Sequence, residues 1–236
     1  MSKRILITGN SSGVGNFLTS FFLKEGFTVY GISRRYPNFK GSYIHIQLDL
    51  NTEIERLEKS LVHALNGEKL DYMIHCAGIE ETIPLKMQTL KVINRIIQIN
   101  LLSSIELVRV FASKKVSETG GSILLFSSVM GILGQKGKVG YCSSKAGILG
   151  LVKASSLELA QRKIKINAIL PGVIETEMTK KLFDSLSDVE SKRITDMHPL
   201  GIGKLSDILS IVRSLTLENS WITGQNIIVD GGYSAQ

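Results

Sequence analysis

Arg4-Ile5-Leu6-Ile7-Thr8-Gly9-Asn10-Ser11-Ser12-Gly13-Val14-Gly15 is the stretch that decides the fold of this chain. An apolar run, Arg4–Thr8, meets a turn with glycines at 9, 13 and 15, and a helix-periodic segment, Val14–Lys24, follows. A short, continuously apolar run predicts a strand covered on both faces. Glycine lets the backbone turn tightly and take angles closed to other residues. The helix behind the turn offers unpaired N–H donors and a partial positive charge. A strand, a glycine turn and a helix in this order are the phosphate-binding element of dinucleotide folds. An ordinary tight βα turn is the plain alternative.

The same alternation runs through the rest of the 236 residues. Apolar runs at Thr28–Ile32, Tyr43–Gln47, Tyr72–His75, Ser122–Ser127, Ile164–Ile169 and Asn226–Val229 predict six more strands. Longer helical patterns at Thr52–Leu65, Leu90–Lys114, Val139–Gln161 and Asp207–Leu217 lie among them. Repeated βαβ units define an α/β protein, a single-domain doubly wound (Rossmann) seven-stranded parallel sheet with helices on both faces, over residues 1–236. No linker, repeat or low-complexity segment divides it. The polar, charged stretch Glu175–Lys204 has no strand signal and is long for a connection, which predicts a helical substrate lid at about 175–204. A surface helical hairpin without a role is the other reading.

The formal net charge is +7. Lysine and arginine are spread along the chain, the densest runs being Arg34-Arg35 and Lys163-x-Lys165, and no basic patch with interleaved aromatics appears. That argues against nucleic-acid binding and for acidic small molecules: phosphorylated cofactors, carboxylates or carrier-bound thioesters. Two cysteines, Cys76 and Cys142, make no disulfide framework and fit a reducing compartment. The apolar part of the N-terminus, Ile5-Leu6-Ile7, is too short for a secretory core. The uncharged stretch Thr119–Gln135 is studded with Gly and Ser and is shorter than a membrane span. A cytoplasmic protein is expected.

About twenty residues past the glycine turn, dinucleotide folds read the adenine ribose, with an acid for NAD and an arginine for the 2′-phosphate of NADP. Here the sequence is Ser33-Arg34-Arg35, without an acid. A guanidinium grips a phosphate bidentately, so NADP(H) is the expected cofactor; solvated loop charges are the alternative. Asp49, at the end of the third strand, is placed for adenine edges or for a helix cap. Further on, Tyr141 and Lys145 are four residues apart in a predicted helix and share one face. An ammonium beside a phenol lowers its pKa and suits it to passing a proton to or from a carbonyl oxygen. Ser128 is expected to end the fifth strand, at the edge where open α/β sheets bind ligands.

At this point the sequence resembles the short-chain dehydrogenase/reductase family over essentially its whole length. The resemblance rests on Thr8-Gly9-x-x-x-Gly13-x-Gly15, Ala77-Gly78, Asn100, Ser128, the Tyr141/Lys145 pair, Pro171-Gly172-x-x-x-Thr176 and Thr223-Gly224-Gln225-x-x-x-Val229-Asp230-Gly231-Gly232. It implies that Tyr141 is the general acid in reduction. Lys145 would bind the nicotinamide ribose and depress the Tyr141 pKa, Ser128 would bond the substrate oxygen, and Asn100 would hold a relay water. The implied cofactor site comprises Gly9, Ser11, Ser12, Gly13, Val14, Gly15, Ser33, Arg34, Arg35, Asp49, Leu50, Ala77, Gly78, Pro171, Gly172, Val173, Ile174 and Thr176. Among branches, the chain looks most like 3-oxoacyl-carrier-protein reductases and related bacterial ketoreductases.

One departure is visible. His75-Cys76-Ala77-Gly78 stands where the family has Asn-Asn-Ala-Gly, so the Asn side-chain roles do not carry over. His75 reads as a structural replacement and Cys76 as a small buried hydrophobe. The remaining histidines, His45, His63 and His198, lack metal-ligand spacing, and no metal is expected. His198 falls in the expected lid and is read as a surface residue, with contact to substrate as the alternative. Lys136 and Lys138 either meet an anionic substrate or are solvated. Met130, Ile174, Met178 and Phe183 either wall the pocket or simply pack. The small residues Ala146, Gly147, Gly150, Ala154, Ser155 and Ser156 suit a homodimer or homotetramer contact, or packing within the monomer. The function expected is NADPH-dependent reduction of a ketone or β-ketoacyl thioester. Oxidation of an alcohol by the same groups, or dinucleotide binding without turnover, are the alternatives, and the intact set Asn100, Ser128, Tyr141 and Lys145 speaks against the latter.

Overall fold

A computed structural model describes residues 2–184, 186–218 and 220–235, with the backbone alone at 178, 181 and 182. Seven parallel strands form one sheet: β1 (Arg4–Thr8), β2 (Thr28–Ser33), β3 (Tyr43–Gln47), β4 (Leu70–His75), β5 (Ser117–Phe126), β6 (Lys165–Pro171) and β7 (Asn226–Val229), in the spatial order β3-β2-β1-β4-β5-β6-β7. Successive residues of a strand point to opposite faces. Ile5 and Ile7 therefore join a core with Leu18 and Phe22 of α1 (Gly13–Lys24), and Leu6 joins the core on the other side. That second core takes Leu57, Leu61 and Leu65 from α2 (Leu57–Leu65) and Ile148 and Val152 from a later helix, Val139–Leu159. Helices on both faces explain the apolar continuity of the strands.

The predicted single helix over 90–114 is interrupted. It comprises α3 (Leu90–Ile97), a π-helical turn (Gln98–Leu102) and α4 (Ser103–Phe111). The α5 helix (Val139–Leu159) is the longest. The polar excursion forms two short helices, α6 (Glu177–Asp184) and α7 (Asp188–Asp196), and α8 (Leu209–Arg213) follows. Its base is closed by a strand-like bridge, with Gly203 N donating to Val173 O at 3.0 Å and Glu175 N to Gly203 O at 2.7 Å. Among the described residues no helix is long and apolar enough to cross a membrane. The chain leaves β1 toward β2 and β3 and then returns to β4 on the other side of β1. The crevice beyond the carboxyl ends of β1 and β4 is thus the switch point where such sheets bind ligands.

Candidate active site

The glycine turn lies against the end of β4. Gly9 has φ +68°, and a Cβ there would come 2.7 Å from Ala77 N; a Cβ on Gly15 would come 2.5 Å from Gly9 O. Only glycine permits both approaches. Ser12, the first flanking residue of α1, makes no side-chain bond to the helix start, so the first-turn N–H groups keep their capacity for an anion. This cradle fits a pyrophosphate.

Behind the cradle is a buried hydroxyl–imidazole chain. Ala77 N donates to Thr8 Oγ1 at 3.3 Å, and Thr8 Oγ1 lies 2.6 Å from His75 Nδ1. His75 Nε2 lies 3.3 Å from Ser103 Oγ, whose own hydrogen goes to Ile99 O at 2.6 Å. Ser103 therefore accepts from Nε2, and Nδ1 accepts from Thr8. Burial first, and the Lys145 charge second, push the His75 pKa down to about 3, which keeps the ring neutral. His75 ties β1, β4 and the start of α4 together. Burial raises the Cys76 thiol well above its usual range.

A cleft of about 600 Å³ runs along the switch point. It is lined by Gly9, Ser11, Ser12, Gly13, Val14, Gly15, Ser33, Arg34, Arg35, Asp49, Leu50, Ala77, Gly78, Tyr141, Lys145, Pro171, Gly172, Ile174 and Thr176. Val173, Asn100 and Ser128 stand outside its lining. Arg34 and Arg35 are exposed, and among the described residues neither pairs with a carboxylate. Their main chain is fixed by Gln47 Nε2 donating to Arg34 O and Ser33 Oγ donating to Arg35 O. The Asp49 carboxylate caps no helix; its Oδ1 accepts from Asn51 N at 2.9 Å and closes a turn.

At the other end of the cleft, Tyr141 sits in the first turn of α5 and Lys145 one turn later. Lys145 is buried, and its Nζ donates to Phe126 O at 2.8 Å while lying 5.8 Å from the centre of the Tyr141 ring. Burial lowers the Lys145 pKa to about 8, against upward pulls from Cys76 and Glu80. The expected depression of the Tyr141 pKa is absent. Burial pushes the phenol above its ordinary value, the Glu80 carboxylate adds to the rise, and only the Ser128 hydroxyl facing it works the other way. The ammonium is turned to a carbonyl instead of the phenol, so desolvation decides.

Ser128 lies two residues beyond the end of β5 (Phe126) and not within it. It opens a short 3₁₀ turn, its Oγ accepting from Met130 N at 3.1 Å. Asn100 is fully buried in the π turn. Its Oδ1 accepts from Ile79 N at 2.8 Å, and its Nδ2 donates to Ile79 O at 2.9 Å and Ser144 Oγ at 3.0 Å, which uses both amide hydrogens.

The neighbouring segments correct two expectations. His198 is buried and not a surface residue: its Nδ1 donates to Ile194 O at 2.8 Å, its Nε2 accepts from Val173 N at 3.2 Å, and its ring packs on Tyr233. Val173 is thus held by His198. Lys138 is neither solvated nor free, because its Nζ pairs with Glu80 at 2.5 Å, whereas Lys136 is exposed. Of the small residues on α5, Gly147 packs on Leu101 and Ser156 is buried, while Ala146, Gly150 and Ala154 form an exposed stripe. A second cavity of about 470 Å³ shares Thr176 and Glu177 with the cleft and adds Glu175, Thr179, Lys180, Phe183 and Ile202. Ile174 borders the cleft and Met130 is buried; the Met178 side chain lies outside the described residues.

A family model for short chain dehydrogenases matches residues 3–187. The chain belongs to the short-chain dehydrogenase family. A relative, the 3-oxoacyl-(acyl-carrier-protein) reductase of Thermotoga maritima, is 32% identical over 245 residues, covering 98% of this chain and 97% of its own. Two solved structures superpose over 100% of both chains at 28% identity: 4-hydroxyisoleucine dehydrogenase complexed with NADH, with a TM-score of 0.90, and ElxO with NADP bound, with a TM-score of 0.88. As a short-chain dehydrogenase the chain is an oxidoreductase of a family that binds a nicotinamide dinucleotide. Motif reading of this family member missed Ile79, Glu80, Phe126 and Ser127, which also line the cleft. Adjacency was the available signal, since Ile79 and Glu80 follow Gly78 and Ser127 precedes Ser128.

Proposed function

We propose that the chain reduces a ketone or a β-ketoacyl thioester to the alcohol with NADPH. One cleft with two carboxylate-free arginines at one end and Tyr141 and Lys145 at the other, with the Ser128 hydroxyl facing Tyr141 from just outside the lining, supports this most directly. Arg34 and Arg35 would grip the 2′-phosphate, and the cradle from Gly9 to Gly15 the pyrophosphate. Asp49 and Leu50, which line the same cleft, would hold the adenine. Ala77, Gly78, Pro171, Gly172, Ile174 and Thr176 would hold the nicotinamide, and Val173 would act through the backbone that His198 holds. When bound, the nicotinamide supplies the hydride.

Ser128 donates a hydrogen bond to the substrate carbonyl oxygen. Tyr141 passes its phenolic proton to the same oxygen as negative charge develops there. Burial keeps the phenol protonated, so the proton to be transferred is in place. The Lys145 cation then stabilises the phenolate left behind, and it would also hold the nicotinamide ribose. Asn100 fixes Ile79 beside Gly78; its amide hydrogens are used, so the implied relay water would donate to its Oδ1 or main-chain O, each of which already accepts one bond. The α6–α7 excursion serves as the lid, and the second cavity under it takes the rest of the substrate. The exposed stripe of α5 serves a homodimer or homotetramer.

The test is NADPH consumption with a short β-ketoacyl thioester, wild type against Tyr141→Phe, with NADH in parallel. Turnover selective for NADPH, falling by roughly 10²–10⁴-fold in the variant while dinucleotide binding holds, is expected. Turnover unchanged in Tyr141→Phe refutes the proton-donor role. Equal use of NADH refutes the arginine reading, and activity only on alcohols with NADP⁺ reverses the direction.

A further inference from the structure

Asn10 follows Gly9 in the glycine turn, yet it is fully buried and stands outside the lining of the cleft. Its side chain runs across β2 instead, and its Nδ2 donates to the Tyr43 hydroxyl of β3 at 2.6 Å. The crossing point is Gly31, which lies between Ile7 of β1 and His45 of β3 in the sheet. A Cβ on Gly31 would collide with Asn10 Nδ2 and with the ring and hydroxyl of Tyr43. The absent side chain in β2 is what lets the two groups meet.

Both ends of this strut are anchored. At the far end the Tyr43 hydroxyl gives its one hydrogen to His45 Nδ1 at 3.0 Å. The Tyr43 ring meets Phe39 edge-on with centroids 5.0 Å apart, and Tyr36, the residue after Arg35, meets His45 edge-on at 5.0 Å. At the near end Asn16 Nδ2 of α1 donates to Asn10 O at 3.3 Å. The strut also carries a cost, since Asn10 Oδ1 is buried with no partner among the described residues. A leucine would fill a similar space without that cost, but it could not tie the turn to β3.

We infer that Asn10 is a positioning residue for the dinucleotide: its bond to Tyr43 across Gly31 holds the turn so that the N–H groups after it face the pyrophosphate. This rests on the reading of the turn as a pyrophosphate cradle. Gly9 and Gly13 flank Asn10 at positive φ, +68° and +54°. Glycine gives the turn its shape but leaves it free to take other shapes. The strut removes that freedom from inside the fold, and Asn10 acts through the main chain without touching the ligand. An anion site made of backbone donors gains affinity when those donors are held in place beforehand.

The test is Tyr43→Phe, which keeps the ring and its packing and removes only the hydroxyl. Its Kd for NADPH, from fluorescence titration, is expected to rise about three- to tenfold. Adenosine 2′-monophosphate carries the adenine and the 2′-phosphate but no pyrophosphate, so its affinity, from calorimetry, should match the wild type's. A general loosening of the fold would weaken both ligands together. Asn10→Ala should lose NADPH affinity to a similar extent, and adding Tyr43→Phe to it should cost little more, because both changes break one bond. If Asn10→Ala fails to fold, Tyr43→Phe decides alone. The inference is overturned if Tyr43→Phe binds NADPH as wild type does, if its affinity for adenosine 2′-monophosphate falls in parallel, or if the two substitutions add in full. If wild type itself binds no dinucleotide, the cradle reading falls, and this one with it.

Discussion

Alanine at Gly9 should damage both stability and dinucleotide binding, and alanine at Gly26 only the first. Both glycines have positive φ, +68° and +80°. An L-residue in that region costs about 1–2 kcal/mol. At Gly26 nothing lies within 4 Å of the added Cβ, so that conformational cost is the whole effect. At Gly9 the Cβ would also meet Ala77 N at 2.7 Å and Ala77 Cα at 2.8 Å, backbone atoms that cannot rotate away. Forcing that overlap apart adds about 1–3 kcal/mol. With about 2–4 °C of Tm per kcal/mol at this size, Gly26→Ala should lose about 2–8 °C and Gly9→Ala about 4–20 °C. The displaced turn also moves the N–H groups of the cradle, so NADPH affinity should fall by about tenfold, or 1.4 kcal/mol. Thermal unfolding by circular dichroism and NADPH fluorescence titration measure the two quantities. Equal Tm losses, together with unchanged NADPH affinity in Gly9→Ala, would refute the claim that this turn is built by close approach to β4.

His75 stays neutral in the fold down to about pH 3, whereas the unfolded chain takes up its proton near 6.5. The unfolded state thus binds more protons between those values, and stability falls as pH falls through that window by up to about 1.4 kcal/mol per unit. His75→Asn keeps a side-chain acceptor for Thr8 but does not titrate, so its denaturation midpoints should drop less than the wild type's between pH 7 and pH 5; parallel drops would contradict the buried neutral imidazole. On the exposed stripe of α5, Gly150 has open space around it. Gly150→Glu should raise monomer stability by about 0.5–1 kcal/mol through helix propensity and lower the mass seen by light scattering; an unchanged oligomer mass would place the subunit contact elsewhere.

The fold was legible because its signals are local. The run Arg4–Thr8, the glycines after it and the periodicity of α1 are contiguous, and β1, β3 and β7 have the bounds their sequences predict. The break in the 90–114 helix was not legible, because the bonds that anchor it come from elsewhere: Asn100 is bonded to Ile79, and Ser103 receives His75. The same distance hid the pairing of Lys138 with Glu80, which are 58 positions apart in the chain (138 less 80). The protonation of Tyr141 escaped for a different reason. Spacing shows that Lys145 is near, but it does not show where the ammonium points or how dry the phenol is. His198 misled as well, because a polar segment gives no hint that one of its side chains folds under to hold the backbone at Val173.

A π turn takes up one more residue than an α turn, and one residue is about 100° of helix rotation. The turn at Gln98–Leu102 therefore works as a phase joint between the two helices it connects. Upstream of it Ile96 is buried, and downstream Ser103, Ser104, Leu107, Val108, Val110 and Phe111 are. Deleting a single residue from the joint would restore an unbroken helix and rotate everything after it by more than a quarter of a turn. Phe111 would leave its core and Ser103 would leave His75. The residue count between Ile97 and Ser103 is in this sense a gear setting, fixed by what both helices must face at once.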